Sequence, residues 1–401
     1  MHIAIDLRWM HPGVAGGIEN LSRSFLNHLL RLDGVNYYSI LAPAEIQYDF
    51  DLRGSPNFRF VRTHGPVHDW RHLWGRISRS LHKASSQRYT NGEALPYAHR
   101  RQVDVVLSLS GYIHIDAYPL RNVVVVPDLQ HEYHPEFFPP EVLEERARVF
   151  GEAIRRADHL IAISEFTRQT VLERYAIAPE RIDTVHPAAD PVFSPDTRLG
   201  LDRSRILRKY SLSEGEFLFF PANTWAHKNH QGLLETLALL RDAYHLTPPL
   251  VCTGTAKEAQ PAIAQTIRRL RLEAQVRFLG YCPLEDLPLL YEGAAALVFP
   301  SFFEGFGIPL LEAMSRDCPI VCSNATSLPE IAGDAALLVD PRAPREFAAA
   351  ISRLLTDPVL RRTLIARGRQ QVKKFSWRRF TVDTVRLVHR VAEMSRGQGR
   401  Q

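Results

Sequence analysis

At about 150 residues per domain, a chain of 401 residues has room for two to three globular domains. A composition of 45% hydrophobic and 23% charged residues excludes wholesale disorder, a collagen-like repeat and a disulfide-stapled miniprotein. The net charge of +5, from 49 Lys and Arg against 44 Asp and Glu, is too small for this length to argue for a duplex-binding surface. No nucleic-acid partner is expected, and any basic function has to be local.

The chain opens on an alternating strand at 2–7, with no basic leader, apolar core and cleavage site ahead of it, so a cytoplasmic protein is expected. No apolar run approaches the ~20 residues that span a bilayer; the longest candidates, 123–126 and 294–299, have strand length. A Gly-rich turn at 13–17 leads to a helix at 19–32, where Leu21, Phe25, Leu29 and Leu32 recur at helical spacing. Further strands read at 38–41, 58–61, 103–107, 123–126 and 159–163. The last runs into Ser164, an N-cap for the helix through Glu173. Short apolar runs between helices indicate a parallel sheet covered on both faces.

Between Trp70 and Gly92 there is no acidic residue, while Arg71, Arg76, Arg79, Lys83 and Arg88 occur and Trp70, Leu73, Trp74, Ile77 and Leu81 share one helical face. Two readings stay open. The segment from Trp70 to Arg88 either meets an anionic membrane surface or a phosphate-bearing lipid acceptor, or packs its apolar stripe on the sheet and solvates its arginines. The first adds a peripheral association with the inner membrane face to the cytoplasmic expectation.

A Pro- and Asp-rich stretch, 187–195, breaks regular structure and reads as an interdomain linker. The alternation then restarts, with strands at 217–221, 250–253, 276–279, 295–300, 319–322 and 336–339. Helices fall between and after them at 230–244, 261–272, 284–292, 308–315, 344–356 and 358–371. The pattern is a second Rossmann-type domain. The expected division is 1–190, 191–375 and a closing segment 376–401, whose helix from Trp377 is free to pack back on the first domain. Cys252, Cys282, Cys318 and Cys322 lie in or beside apolar segments without zinc spacing and read as reduced core thiols. No metal and no cofactor is expected; Asp49-Phe50-Asp51 matches a short metal motif by chance alone.

The segment Pro300-Ser301-Phe302-Phe303-Glu304-Gly305-Phe306-Gly307-Ile308-Pro309-Leu310-Leu311-Glu312-Ala313 carries the most chemistry. It leaves a strand and opens a helix. Gly305 and Gly307 allow a tight turn, Pro309 suits a first helical turn, and the free N–H groups with the positive end of the helix dipole favour a phosphate. Glu304 and Glu312 can accept hydrogen bonds from hydroxyl groups on either side of it. Lys228, in the loop after 217–221, stands at the carboxyl edge of the same sheet, where a lysine can neutralise a diphosphate leaving group.

Glu304 and Glu312, in the setting Glu-Gly-Phe-Gly-Ile-Pro-Leu-Leu-Glu-Ala, resemble the paired carboxylates of the retaining GT-B glycosyltransferases of family four. Support comes from Gly16-Gly17-Ile18-Glu19, Arg181-Ile182 to Phe193, Phe278-Leu279-Gly280-Tyr281 and Ser327-Leu328-Pro329-Glu330, and the resemblance covers nearly the whole chain. It implies two Rossmann-like doubly wound domains facing a central cleft, and a hexose transferred without a metal from a nucleotide-sugar, with GDP-mannose the first guess. The acceptor it implies is a saccharide or polyprenyl-linked saccharide. Glu304 then takes the donor sugar and Glu312 the nucleotide ribose. The backbone of Gly305, Phe306, Gly307 and Ile308 cradles the diphosphate with Lys228. Tyr281 lies by the base, Gly16 and Gly17 close over the donor, and Asn223 and Gly254, in the loops after two strands of the second domain, join the donor-binding set.

Two departures stand out. The stretch 221–224 lacks the arginine that many relatives carry ahead of the lysine, and Pro127 replaces a histidine of the first domain. Asp128 and His131, just past an apolar strand, are expected to face the ligand as catalytic groups, against the simpler reading of Asp128 as a turn cap. A non-catalytic nucleotide-sugar-binding protein of the same fold is one alternative. A Rossmann oxidoreductase is the other, although Gly13-Val14-Ala15-Gly16-Gly17 lacks its Gly-x-Gly-x-x-Gly spacing.

Overall fold

The computed structural model describes residues 1–10, 16–63, 103–114, 117, 120–197 and 202–394, the side chain of Tyr48 excepted. The basic stretch 70–88 and positions 13–15 of the Gly-rich turn lie outside the described residues. The chain forms two compact units, one of Met1–Pro187 with the segment from Trp377 onward, the other of Ala188–Ser376.

In the first unit β1 (His2–Asp6), α1 (Gly17–Leu32), β2 (Tyr37–Pro43), β3 (Phe58–Thr63), β4 (Val105–Ser108) and β5 (Arg121–Val126) are followed by α2 (Gln130–Tyr133) and α3 (Pro140–Arg156). Then come β6 (His159–Ala162), α4 (Glu165–Arg174) and β7 (Ile182–Thr184). The strands form one parallel sheet in the order β3-β2-β1-β4-β5-β6-β7. β1 lies inside the sheet between β2 and β4, with Ile3 opposite both Tyr38 and Val105. Val123, Val124, Val125 and Val126 are all wholly buried, as expected for β-branched residues in a sheet covered on both faces.

At the carboxyl end of β1 the Arg8 guanidinium grips the Asp6 carboxylate twice, Nε to Oδ1 at 2.9 Å and Nη2 to Oδ2 at 2.6 Å. Both side chains are only 2% exposed. Asp6 sits opposite Ser108 of β4, and the partly buried Tyr112 lies within electrostatic reach of the pair. Burial pushes the Tyr112 phenol well above its ordinary range, and the Asp6 charge adds to the shift.

In the second unit the described elements are α5 (Arg203–Lys209), β8 (Leu218–Pro221), α6 (His230–Tyr244), β9 (Leu250–Thr253), α7 (Gln260–Leu270), β10 (Val276–Phe278) and α8 (Leu287–Gly293). They continue through β11 (Ala296–Phe299), α9 (Ile308–Ser315), β12 (Ile320–Ser323), α10 (Leu328–Ala332), β13 (Ala336–Val339), α11 (Pro344–Thr356) and α12 (Pro358–Gln371). The parallel sheet runs β10-β9-β8-β11-β12-β13. The strand order therefore reverses between β8 and β11, the point where a doubly wound sheet opens a crevice for ligands.

The last helix, α13 (Trp377–Glu393), belongs to the first unit. It buries Trp377, Phe380, Leu387, Val388 and Val391, and Phe380 meets Phe25 of α1 edge to face at 5.8 Å.

α2, α3, α5, α10 and β7 are not anticipated in the sequence. The stretch 187–195, expected as a plain linker, is packed: Asp190 caps a single turn at Pro191–Phe193 and Phe193 is wholly buried. The two carboxylates of Asp49-Phe50-Asp51 are each held by an arginine, Asp49 by Arg23 at 2.6 Å and Asp51 by Arg53 at 2.8 Å. All four cysteines are free and buried.

Candidate active site

β8 and β11 deliver one loop each to the switch point of the second sheet. After β8 the chain makes a single turn at Ala226–Lys228 and enters α6 through Asn229, in the left-handed conformation with φ 59°. Asn229 fixes this passage. Its Oδ1 accepts from Gly232 N, and its Nδ2 donates to the carbonyls of Pro300 and Pro341 at 3.0 and 2.8 Å. The two loops are tied again where Phe302 N donates to His227 O at 2.8 Å. Lys228 is thereby brought to Glu304, with Nζ 2.7 Å from Oε1. The pair is 18% and 12% exposed, and Lys228 also lies over the Phe299 ring.

The turn that follows is built from both sides. Glu304 N donates to Thr326 Oγ1 at 3.1 Å, and the Ser327 hydroxyl reaches the carbonyls of Glu304 and Phe306 at 2.9 and 2.8 Å. Gly307 adopts φ 113° and caps α9, and a Cβ there would stand 2.7 Å from Leu328 Cδ2. An L side chain there would be strained by the backbone and would have to displace Leu328. Gly307→Ala is expected to cost about 1–3 kcal/mol of stability and to displace the amino end of α9. An unchanged thermal midpoint together with unchanged nucleotide binding would contradict this.

One turn into α9 stands Glu312, half-buried, its Oε2 accepting from the Tyr291 hydroxyl at 2.7 Å. Burial pushes its carboxyl up to about 7; the hydrogen bond from Tyr291 opposes that rise and the charge of Asp190 adds to it. Tyr291 and Asp190 carry no signal in the sequence, since Tyr291 sits in the apolar run Leu289-Leu290-Tyr291 and Asp190 among prolines.

Asn223 and Gly254 are packed on each other. Asn223 Oδ1 accepts from Thr255 N at 2.7 Å, and Gly254, at φ 113°, would place a Cβ 2.8 Å from Asn223 N. The Asn223 carboxamide oxygen is thus committed to joining two loops. Lys257 N donates to Thr224 Oγ1 at 2.6 Å and its ammonium lies 5.1 Å from the Trp225 ring centroid, so a second cation borders the 221–224 stretch that lacks arginine. Tyr281 is 78% exposed beside Gly280, whose φ is 70°.

The remaining candidates belong to the first unit. Gly16, with φ 57°, precedes α1 and has open space where a Cβ would be, as has Gly17. Asp128 Oδ1 accepts from Gln130 N at 2.9 Å, a local turn cap. The His131 ring is 1% exposed, with Phe150 against it edge-on at 5.0 Å. Burial lowers its pKa to about 4, and Arg146 adds to the effect. His131 is a neutral, enclosed imidazole where the sequence suggested a ligand-facing one.

The pattern of the family described as "Glycosyl transferases group 1" matches residues 202–371. The O-antigen chain mannosyltransferase B of Escherichia coli is 34% identical over 265 residues, 66% of this chain and 69% of that protein. The chain belongs to the glycosyl transferases group 1 family. A second E. coli member, the serotype-specific mannosyltransferase WbdA, is 33% identical over 228 residues, 55% of this chain, which spans only 27% of WbdA. Among solved structures, Anabaena HepE in complex with UDP and glucose superposes with a TM-score of 0.71 at 16% identity, covering 97% of this chain and 100% of that one. That likeness is one of fold, the GT-B type with two Rossmann-like domains. Within the glycosyl transferases group 1 match fall Lys228, Glu304, Gly307 and Glu312. The protein is a glycosyltransferase. No described helix is long and apolar enough to cross a membrane.

Proposed function

We propose that the protein transfers mannose from GDP-mannose to a saccharide or polyprenyl-linked saccharide, with retention at the anomeric carbon and without a metal. The observation that carries this reading is the Lys228–Glu304 contact at the strand-order reversal, beside the amino end of α9. The choice of mannose is supported by E. coli relatives that are named mannosyltransferases.

In this reading the diphosphate takes Lys228 away from Glu304, freeing the carboxylate to accept from sugar hydroxyls. Lys228 and the α9 N–H groups lower the energy of the departing nucleoside diphosphate. The bond from the anomeric carbon to the phosphate oxygen breaks while the acceptor oxygen bonds on the same face, and the acceptor proton passes to the departing phosphate. Tyr281 lies by the base.

The test is thermal stabilisation by GDP-, UDP-, ADP- and dTDP-sugars, with EDTA or magnesium present. A ligand at about a hundred times its Kd adds ~2.7 kcal/mol. Stabilisation by GDP-mannose above the others, unaffected by EDTA and lost in Glu312→Ala, is the expected result. Preference for another sugar nucleotide refutes the donor; stabilisation by none refutes the site.

A further inference from the structure

Glu312 makes one hydrogen bond among the described residues, from Tyr291 to Oε2. Its Oε1 is left for a ligand. The donor of that bond has little freedom. Tyr291 is wholly buried, and its ring is met edge to face by Phe219 at 4.9 Å and Phe193 at 5.8 Å. Its hydroxyl is therefore held in one direction by packing on two sides.

Phe193 belongs to the 188–194 segment that begins the second unit, and this segment is bolted down. Arg316, the C-cap of the helix that carries Glu312, donates to the carbonyls of Val192 and Ser194 at 2.6 and 3.0 Å and pairs with Glu292 at 2.8 Å. Asp190 caps the turn through Val192 N at 2.9 Å, and its charge raises the Glu312 pKa.

We propose that Tyr291 is a positioning residue for Glu312, fixing the carboxylate so that Oε1 meets a vicinal diol of the nucleotide. The inference rests on the reading of Glu312 as the ribose ligand.

The groups whose charge or hydrogen bond acts on Glu312 are Tyr291 from α8 and Asp190 from the 188–194 segment, and Cys318 acts on the Tyr291 phenol. Arg316, the C-cap of α9, is engaged by Glu292 and two carbonyls. The ionised carboxylate is the form that accepts from two hydroxyls, so ribonucleotide affinity falls as pH drops through the free-state pKa of about 7. Removing the Tyr291 hydroxyl raises that pKa and moves the acid limb up. Removing the Asp190 charge lowers it and moves the limb down.

The experiment is calorimetric titration between about pH 5 and 9, with whichever of GDP and UDP binds the wild-type chain more tightly and with its 2′-deoxy form. Tyr291→Phe is expected to weaken ribonucleotide binding about tenfold at neutral pH and to shift the limb up. Asp190→Asn, which keeps the cap oxygen, shifts it down, and neither variant affects the 2′-deoxy nucleotide comparably. A loss of packing cannot move the two limbs in opposite directions. Shifts in one direction, or none, while Glu312→Gln still abolishes the pH dependence, overturn the inference and leave the donor site standing. If Glu312→Gln changes neither affinity nor pH dependence, the ribose reading falls as well.

Discussion

Lys228→Ala should lower turnover of the sugar nucleotide by about two to three orders of magnitude, the loss typical when one preorganised donor to a developing anion is removed. The mechanism of the loss is specific. In the free protein Lys228 neutralises Glu304 at 2.7 Å, so the variant leaves a mostly buried carboxylate without its cation beside the turn proposed to receive the phosphates. The site changes from one prepared for an anion to one that repels it. Initial rates should show the fall chiefly in kcat, with donor KM raised. Adding Glu304→Gln to Lys228→Ala should restore part of the lost donor affinity without restoring turnover, because it removes the repulsion and not the need for a cation. A loss below about fivefold, or full rescue by the double variant, would remove Lys228 from leaving-group stabilisation.

Arg8→Ala should produce the largest loss of stability, about 3–5 kcal/mol for the first unit, because it strands the Asp6 carboxylate at 2% exposure on an interior strand of the seven-stranded sheet. Denaturant unfolding followed by fluorescence measures it. Asp6→Asn with Arg8→Met should lose much less than Arg8→Ala, since the dominant cost is the uncompensated charge and not the absence of the pair. Arg53→Ala supplies the contrast. It breaks an equally well-formed bidentate pair with Asp51, but Arg53 is 91% exposed and no measurable change is expected. Equal effects of Arg8→Ala and Arg53→Ala would show that burial does not govern these pairs.

What was legible in the sequence follows the range of the interactions involved. The turn from Glu304 to Ile308 is readable because glycines and a proline state their backbone requirement locally, and the strands are readable because four or five consecutive apolar residues have few other uses. Chemistry shared between distant segments is not written in either one. The Asn223 carboxamide looks available to a ligand until Thr255 is seen on its oxygen. His131 looks like a cleft residue until Phe150 covers it. Phe193 sits in a Pro- and Asp-rich stretch that reads as loose chain, and only its burial against Tyr291 shows that the segment is packed. β7 is three residues long, Ile182–Thr184, and exists because β6 offers an edge to pair with, which no local pattern announces.

The first unit is made from both ends of the described chain, with the whole second unit between them. On a ribosome, the residues that cover Phe25 of α1 emerge only after the second unit has been synthesised. The half of the protein that starts first therefore has to wait, with one apolar face uncovered, while the later half completes its own core. Maturation of this glycosyltransferase thus runs against its reading order, and a chain halted after Ser376 would hold a finished second unit joined to an unfinished first one.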